Sequence, residues 1–152
     1  MYIGLKLLHV AAVILFLGNI VTGLFWHSHA ARTRDPRLLA HAVDGIIRAD
    51  RLFTVPAVVV IVASGLAAAV EAGYPILRTG WIRWSLVLFS VTGLAFMIRL
   101  APLQRQLLAL AKAGGFEWER YRRLARAWEL WGLVALVTPV AALVLMVLKP
   151  GS

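Results

Sequence analysis

Residues 7–26 read LLHVAAVILFLGNIVTGLFW, a run whose only polar side chains are His9, Asn19 and Thr22. At about 1.5 Å of rise per residue, such a run crosses a hydrocarbon layer of about 30 Å, so it reads as a transmembrane helix. A cleaved signal peptide has a shorter apolar centre, about 7–15 residues. The expectation is a retained first helix over roughly 3–26.

Three further apolar runs lie downstream. The second, 52–70, has Pro56 in its first turns, where a missing N–H costs little. Gly73, Tyr74 and Pro75 then form a short turn. The third, 81–98, has Arg83 near its start, able to snorkel to the headgroups, beside the interfacial rings of Trp81 and Trp84. The fourth, 130–148, contains Pro139, which predicts a kink.

The loops between these runs are themselves helical in pattern. Asp35-Pro36 reads as a helix start, and Leu38, Leu39, Ala42, Ile46 and Ile47 keep helical spacing up to Arg51. Leu103 to Ala113 is amphipathic, and Gly114-Gly115 breaks it. Phe116 to Glu129 carries Trp118, Tyr121, Leu124, Ala125 and Trp128 along one face and can run on into the fourth span. The sum is an all-α polytopic membrane protein. It is a single transmembrane domain over 1–152, a four-transmembrane-helix bundle with amphipathic cytoplasmic loop helices. Gly18, Gly23, Ala63, Ala67, Ser90 and Gly93 are the small residues expected where helices approach closely.

Composition agrees. Hydrophobic residues make up 61% of the chain and charged ones 15%, against about 45–50% and about 25% in soluble domains. A soluble fold could not hide that surface; lipid solvates it. The net charge of +9 would suggest nucleic acid in a soluble chain. Here the basic residues stand between apolar runs, where they orient a membrane protein and meet anionic lipid headgroups. There are no cysteines, hence no disulfide framework, thiolate metal site or cysteine nucleophile.

The same charges predict orientation. Arg32, Arg34, Arg37, Arg48 and Arg51 fill the first loop. Arg105, Lys112, Arg120, Arg122, Arg123 and Arg126 fill the third, with Arg99 at its edge. The middle loop has Arg78 alone, with Arg83 just inside the next helix. Positive loops stay in the cytoplasm, which puts both termini in the periplasm of a bacterial inner membrane. Lys6 and Lys149 pull the other way and are outnumbered.

Three groups of residues have the chemistry for a site. His9 lies at bilayer depth, where ionisable groups are costly and face the bundle interior. Lys6, three residues earlier, shares its helix face, which continues through Phe16, Ile20, Gly23 and His27 with Asn19 on the flank. A neutral imidazole there can ligate haem iron or a transition metal, or hydrogen-bond a neighbouring helix. His27 and His29 stand two apart and do not share a face, so with His41 they bind metal only where the helix unwinds; otherwise they are interfacial rings beside Trp26. Asp50, Arg99 and Glu129 mark helix ends at one rim. There, Arg99 is expected to pair with Asp50 or Glu129, or the three could meet a headgroup or gate a proton path. No phosphate-binding glycine loop, Ser/His/Asp constellation or zinc-protease helix appears.

With these residues in view, the chain resembles the small bacterial integral membrane proteins of domain-of-unknown-function family 2269. The matching pieces are Leu5-Lys6-Leu7-Leu8-His9, Gly18-Asn19, Arg48-Ala49-Asp50-Arg51-Leu52-Phe53, Trp128-Glu129-Leu130-Trp131-Gly132 and Met146-Val147-Leu148-Lys149-Pro150. That resemblance implies the fold and no activity. The Lys6-x-x-His9 pair is also similar to the opening of the bacterial membrane protoporphyrinogen oxidase family, and loosely to copper-resistance D-type membrane proteins. The oxidase likeness implies haem b or porphyrin as cofactor, with His9 as ligand and Lys6 at a porphyrin carboxylate. The sequence departs from a two-histidine haem site, since no second histidine lies deep in any span. Three functions stand at this point: a haem, porphyrin or metal binder through His9 with Asn19 nearby and His27 as a further metal ligand; a non-catalytic accessory or structural subunit; or a small transporter. A homo-oligomer is compatible with all of them.

Overall fold

The computed structural model describes residues 1–150, so the last two positions of the expected 1–152 domain lie outside the described residues. It is all-α. The helices are α1 (Tyr2–Thr33), α2 (Pro36–Ala49), α3 (Val55–Glu71), α4 (Gly80–Ala95), α5 (Ala101–Lys112) and α6 (Trp118–Leu148). Two five-residue π turns, Asp50–Thr54 and Phe96–Leu100, weld α2 to α3 and α4 to α5. The result is four long rods: Tyr2–Thr33, Pro36–Glu71, Gly80–Lys112 and Trp118–Leu148, each long and apolar enough to cross a membrane.

The helix that carries the second span therefore begins well before residue 52, and Pro56 does not sit in a free first turn. It lies inside a 36-residue rod. The welding has a local cause. A proline has no N–H, and its ring crowds the carbonyl four residues earlier. Pro56 follows the first π turn by two residues and Pro102 follows the second likewise. In each, the ladder widens by one residue: Val55 N–H reaches the Asp50 carbonyl and Ala101 N–H the Phe96 carbonyl. The wide turn absorbs the ring without ending the helix. Further on, α6 stays helical through Pro139 and runs unbroken from Trp118 into the fourth span.

Each rod exceeds the roughly 20 residues that a bilayer needs, and the surplus gathers at one end. There the last turns of α1, all of α2 and α5, and the first turns of α6 pack together: α2 lies on α5 and α1, and α5 on α6. The core here includes Leu39, Val43, Leu107, Tyr121 and Trp128, with Leu39, Leu107 and Tyr121 fully enclosed. Asp35 caps α2 through its Oδ1, which accepts from Arg37 N–H at 2.8 Å, with Pro36 at the first helical position. The first two rods are joined by Arg34 in the left-handed region, φ 54°.

In the spanning half the pairs are α1 on α3 and α4 on α6. Its buried cluster is small: Ala12, Phe16, Ala57 and Ile61, with Phe16 meeting Phe89 of α4 at 5.6 Å between ring centres. Close approach is made by glycine at two crossings. A methyl group on Gly65 would meet His9 Cε1 at 2.9 Å, and one on Gly132 would meet Leu24 Cδ2 at 2.8 Å. The small residues singled out from sequence are mostly elsewhere: Gly18, Ala63, Ala67 and Ser90 are exposed, and the inner face of α3 runs Ala57, Ile61, Ser64 and Ala69. In an all-apolar helix every face looks alike to hydropathy, so spacing alone does not choose the buried one. At the far end, Lys149 Nζ lies over Tyr74 and Trp81, and the Met1 amine is 3.7 Å from Glu71. Met1 and Lys149 thus both lie at the end of the bundle that carries the 72–79 turn, opposite the arginine-rich end.

Candidate functional site: three polar centres in an apolar bundle

The first centre is His9. Its Nδ1 lies 2.9 Å from the Ile61 carbonyl oxygen. A carbonyl only accepts, so Nδ1 carries the proton and donates, leaving Nε2 with its lone pair. Ile61 and Gly65 are one helical turn apart, and the missing side chain of Gly65 makes the seat for the ring. Nε2 has no hydrogen-bond partner among the described residues. Lys6 is exposed rather than inward; the half-buried stripe at the start of α1 runs through Tyr2, Leu5 and His9 instead. Asn19 is ten residues further along the helix, about 15 Å away at the helical rise, and belongs to the next centre. The trio His9, Lys6 and Asn19 is not brought together.

The second centre is built on Asp50. The first π turn carries Asp50 and Thr54 inward, 8% and 5% exposed. Asp50 Oδ1 accepts from Asn19 Nδ2 at 3.0 Å and from the Thr54 hydroxyl at 2.9 Å, while Oδ2 accepts from Gln104 Nε2 at 2.8 Å. Asn19 Nδ2 also reaches Thr54 Oγ1 at 2.8 Å. One carboxylate thereby ties α1, the α2–α3 rod and α5 together. The expected rim pairing does not form: Asp50 has neutral partners, Arg99 lies over the Trp131 ring at 5.5 Å, and Glu129 turns to His27. Arg99 is exposed and an indole face is at hand, whereas Asp50 is already saturated by donors.

His27 is the third centre. It is fully buried, not an interfacial ring beside Trp26. Nε2 stands 3.0 Å from the Tyr121 hydroxyl, and Nδ1 stands 3.3 Å from Glu129 Oε1. With a carboxylate facing Nδ1, Nδ1 holds the proton and the Tyr121 O–H donates to Nε2. The Nδ1 contact lacks hydrogen-bond geometry, so a fully enclosed N–H is left unsatisfied. Trp128 packs on the ring at 4.8 Å between centres, and its own Nε1 is buried without a partner. His29 and His41 are exposed, His29 stacking on Phe25 at 6.0 Å. His9 and His27 are 18 residues apart in one helix, about 27 Å, so they cannot share an ion. No group of three or more His, Cys, Asp or Glu that could hold a metal occurs among the described residues.

Thr54, Gln104 and Tyr121 complete these centres and do not stand out in the sequence as site residues. Thr54 follows Asp50 by one turn. Gln104 interrupts the apolar series Leu100, Leu107, Ala111. Tyr121 was visible only as one ring of an aromatic face. Each has a local signal, but nothing local says which residue it reaches.

With the apolar rods and their internal polar ties described, the comparison with known families becomes specific. The family described as "Predicted integral membrane protein (DUF2269)" matches residues 3–150. The chain belongs to the DUF2269 family. Comparison with curated proteins and with solved structures gave no match. As a DUF2269 protein it is an integral membrane protein that sits in a lipid bilayer, with four candidate spans. The family supplies that setting and no activity. All three centres lie inside the matched stretch.

Proposed function

We propose that this DUF2269 protein is a non-catalytic accessory subunit of the bacterial inner membrane. One observation carries the reading: its deep polar groups are spent on joining helices. His9 ties α1 to α3 through the Ile61 carbonyl, and Thr92 ties α4 to α6 through Thr138, with hydroxyl oxygens 2.6 Å apart. The Ser85 hydroxyl donates to the Ala142 carbonyl across the same pair, and Asp50 joins three rods. Groups engaged in this way orient a bundle, and of these His9 keeps Nε2 without a hydrogen-bond partner among the described residues. The arginine-rich end faces the cytosol among anionic headgroups and both termini face the periplasm, on the charge rule for loops. Alkaline phosphatase fused after Lys149 is then active; a fluorescent cytosolic reporter in its place overturns the orientation.

A second reading has a specific observation in its favour. A ligating histidine commonly donates its other ring N–H to a backbone carbonyl, which fixes the ring and leaves the second nitrogen free. His9 has this arrangement. Haem or porphyrin binding would then use Nε2, with exposed Lys6 meeting a porphyrin carboxylate. The second iron ligand would come from outside the chain, a second copy included. One titration separates the two readings. For the accessory subunit, protein purified in mild detergent stays colourless with haemin, and His9→Ala only lowers its unfolding midpoint. A Soret band that forms with the wild type and is lost in His9→Ala overturns the accessory reading in favour of the haem one.

A further inference from the structure

At the arginine-rich end a cleft of about 390 Å³ opens between the last turns of α1 and the first turns of α6. Arg32, Arg34, Arg122 and Arg126 line it, together with Tyr121 and Glu129. Ion pairing within the bundle takes up little of this charge. Arg32, Arg34 and Arg126 form no ion pair among the described residues, and Arg122 has only a long contact to Glu119, 4.0 Å. Guanidinium groups sharing one cleft repel each other. Four of them lining one cleft against the single carboxylate of Glu129 leave a place for an anion.

Three further features point the same way. Arg34 is held with φ 54° and its guanidinium 5.4 Å over the Trp118 ring. That backbone region usually takes glycine or asparagine, yet the position carries a long cationic side chain aimed into the cleft. The first turn of α6 enters the cleft wall at Trp118, and Glu117 gives it no side-chain cap, so its N–H groups add positive potential. Behind the wall, the enclosed His27 Nδ1 is an unsatisfied donor facing Glu129. Glu129 is the one carboxylate in the lining and stands 3.3 Å from His27 Nδ1, while Glu119 lies outside the lining, 4.0 Å from Arg122.

Depth selects the class of anion. Phe25 and Trp26 are exposed and precede the cleft on α1 by one to two turns, at the level where aromatic belts meet headgroups. We propose that this cleft holds a phosphate group, planar guanidinium forks from α1 and α6 closing on its oxygens. Lipid headgroups and free phosphate share that chemistry. The inference rests on the arginine-rich end lying among headgroups only for the lipid as source.

The test is native mass spectrometry of the full chain released from detergent, with phosphatidylglycerol or phosphatidylcholine added. The wild type retains one phosphatidylglycerol in preference to phosphatidylcholine. The double variant Arg32→Gln/Arg126→Gln binds it about tenfold more weakly, since exposed charge contacts are worth about 0.2–1 kcal/mol each. Arg37→Gln/Arg105→Gln removes the same charge from exposed positions outside the cleft and leaves binding unchanged. Equal losses in both variants, or none in either, overturn the cleft while leaving the orientation reading, which the reporter fusions test separately. Inorganic phosphate, added as a competitor, distinguishes the sources: displacement of the lipid means that the phosphate alone suffices, and persistence means that the lipid is the ligand. A wild type that retains neither lipid nor phosphate overturns the proposal outright. Circular dichroism and gel filtration of each variant show that it is folded, as expected for exposed side chains.

Discussion

At the arginine-rich end, Leu39, Leu107, Tyr121 and His27 are sealed from their surroundings, and α2 and α5 are strongly two-faced. In the spanning half, Phe16, Ile61 and Ile82 are the large buried residues and the rest are small, such as Ala12, Ala57, Ala69 and Ala142, while Ile14, Val59, Leu130 and Val147 lie outside. The two halves belong to one set of rods, so the difference is one of solvent. Where water reaches, burying apolar surface drives packing. Within lipid that drive is absent, and close approach and interhelical hydrogen bonds remain. The loop helices, which look like connections, therefore act as the clamp that sets the bundle.

The comparison can be broken by experiment. Tyr121→Ala removes a fully enclosed ring and the partner of His27. It should destabilise by about 3–5 kcal/mol, the cost of deleting a large buried ring, measured by unfolding in mixed micelles with increasing SDS and far-UV circular dichroism. If Phe16→Ala, its counterpart in the spanning half, costs more, the clamp is in the wrong half. Asp50→Ala orphans donors on Asn19, Thr54 and Gln104 and should cost about 1–3 kcal/mol. Hydrogen exchange at the first π turn should rise with it; unchanged protection there would mean that Asp50 does not hold the turn.

His9→Ala removes one interhelical bond and should cost about 0.6 kcal/mol and at most about 1.7 kcal/mol, the range for such bonds in bilayers. Gly65→Ala pushes a methyl into the same imidazole and should lower the midpoint in the same direction; no effect from either would remove His9 from the packing. Smallest of all, Val59→Ala and Leu130→Ala, both facing outward, should stay within about 0.5 kcal/mol. A large loss at either, read in the same SDS titration, would mean that a protein partner, not lipid, covers that face.

Much of this was legible before any coordinates. The amphipathic pattern of Leu38, Leu39, Ile46 and Ile47 located α2, and Gly114-Gly115 ended α5 within a residue or two, because a helix at a water boundary writes its buried face into hydropathy. Inside lipid that record disappears. Ala63 and Ala67 have the right size and spacing for a packing face, yet they point outward while Ser64 is buried. The polar centres were half visible. His9, Asn19, His27, Asp50 and Glu129 were each conspicuous as polar residues near or within apolar runs, but the pairing of Arg99 with a carboxylate, the expectation drawn from helix ends alone, gave way to Trp131.

The sequence by itself determined that four helices are long and apolar enough to cross a membrane, and which end carries the arginines, since both follow from local composition along the chain. The tertiary structure alone decided which side of each apolar rod is inside and which polar groups meet. His27 finds Tyr121 across 94 residues, and Asp50 finds Gln104 across 54. Such contacts depend on how rods rotate against one another, and a helix that is apolar on every side gives no sign of its rotation until its neighbours are in place.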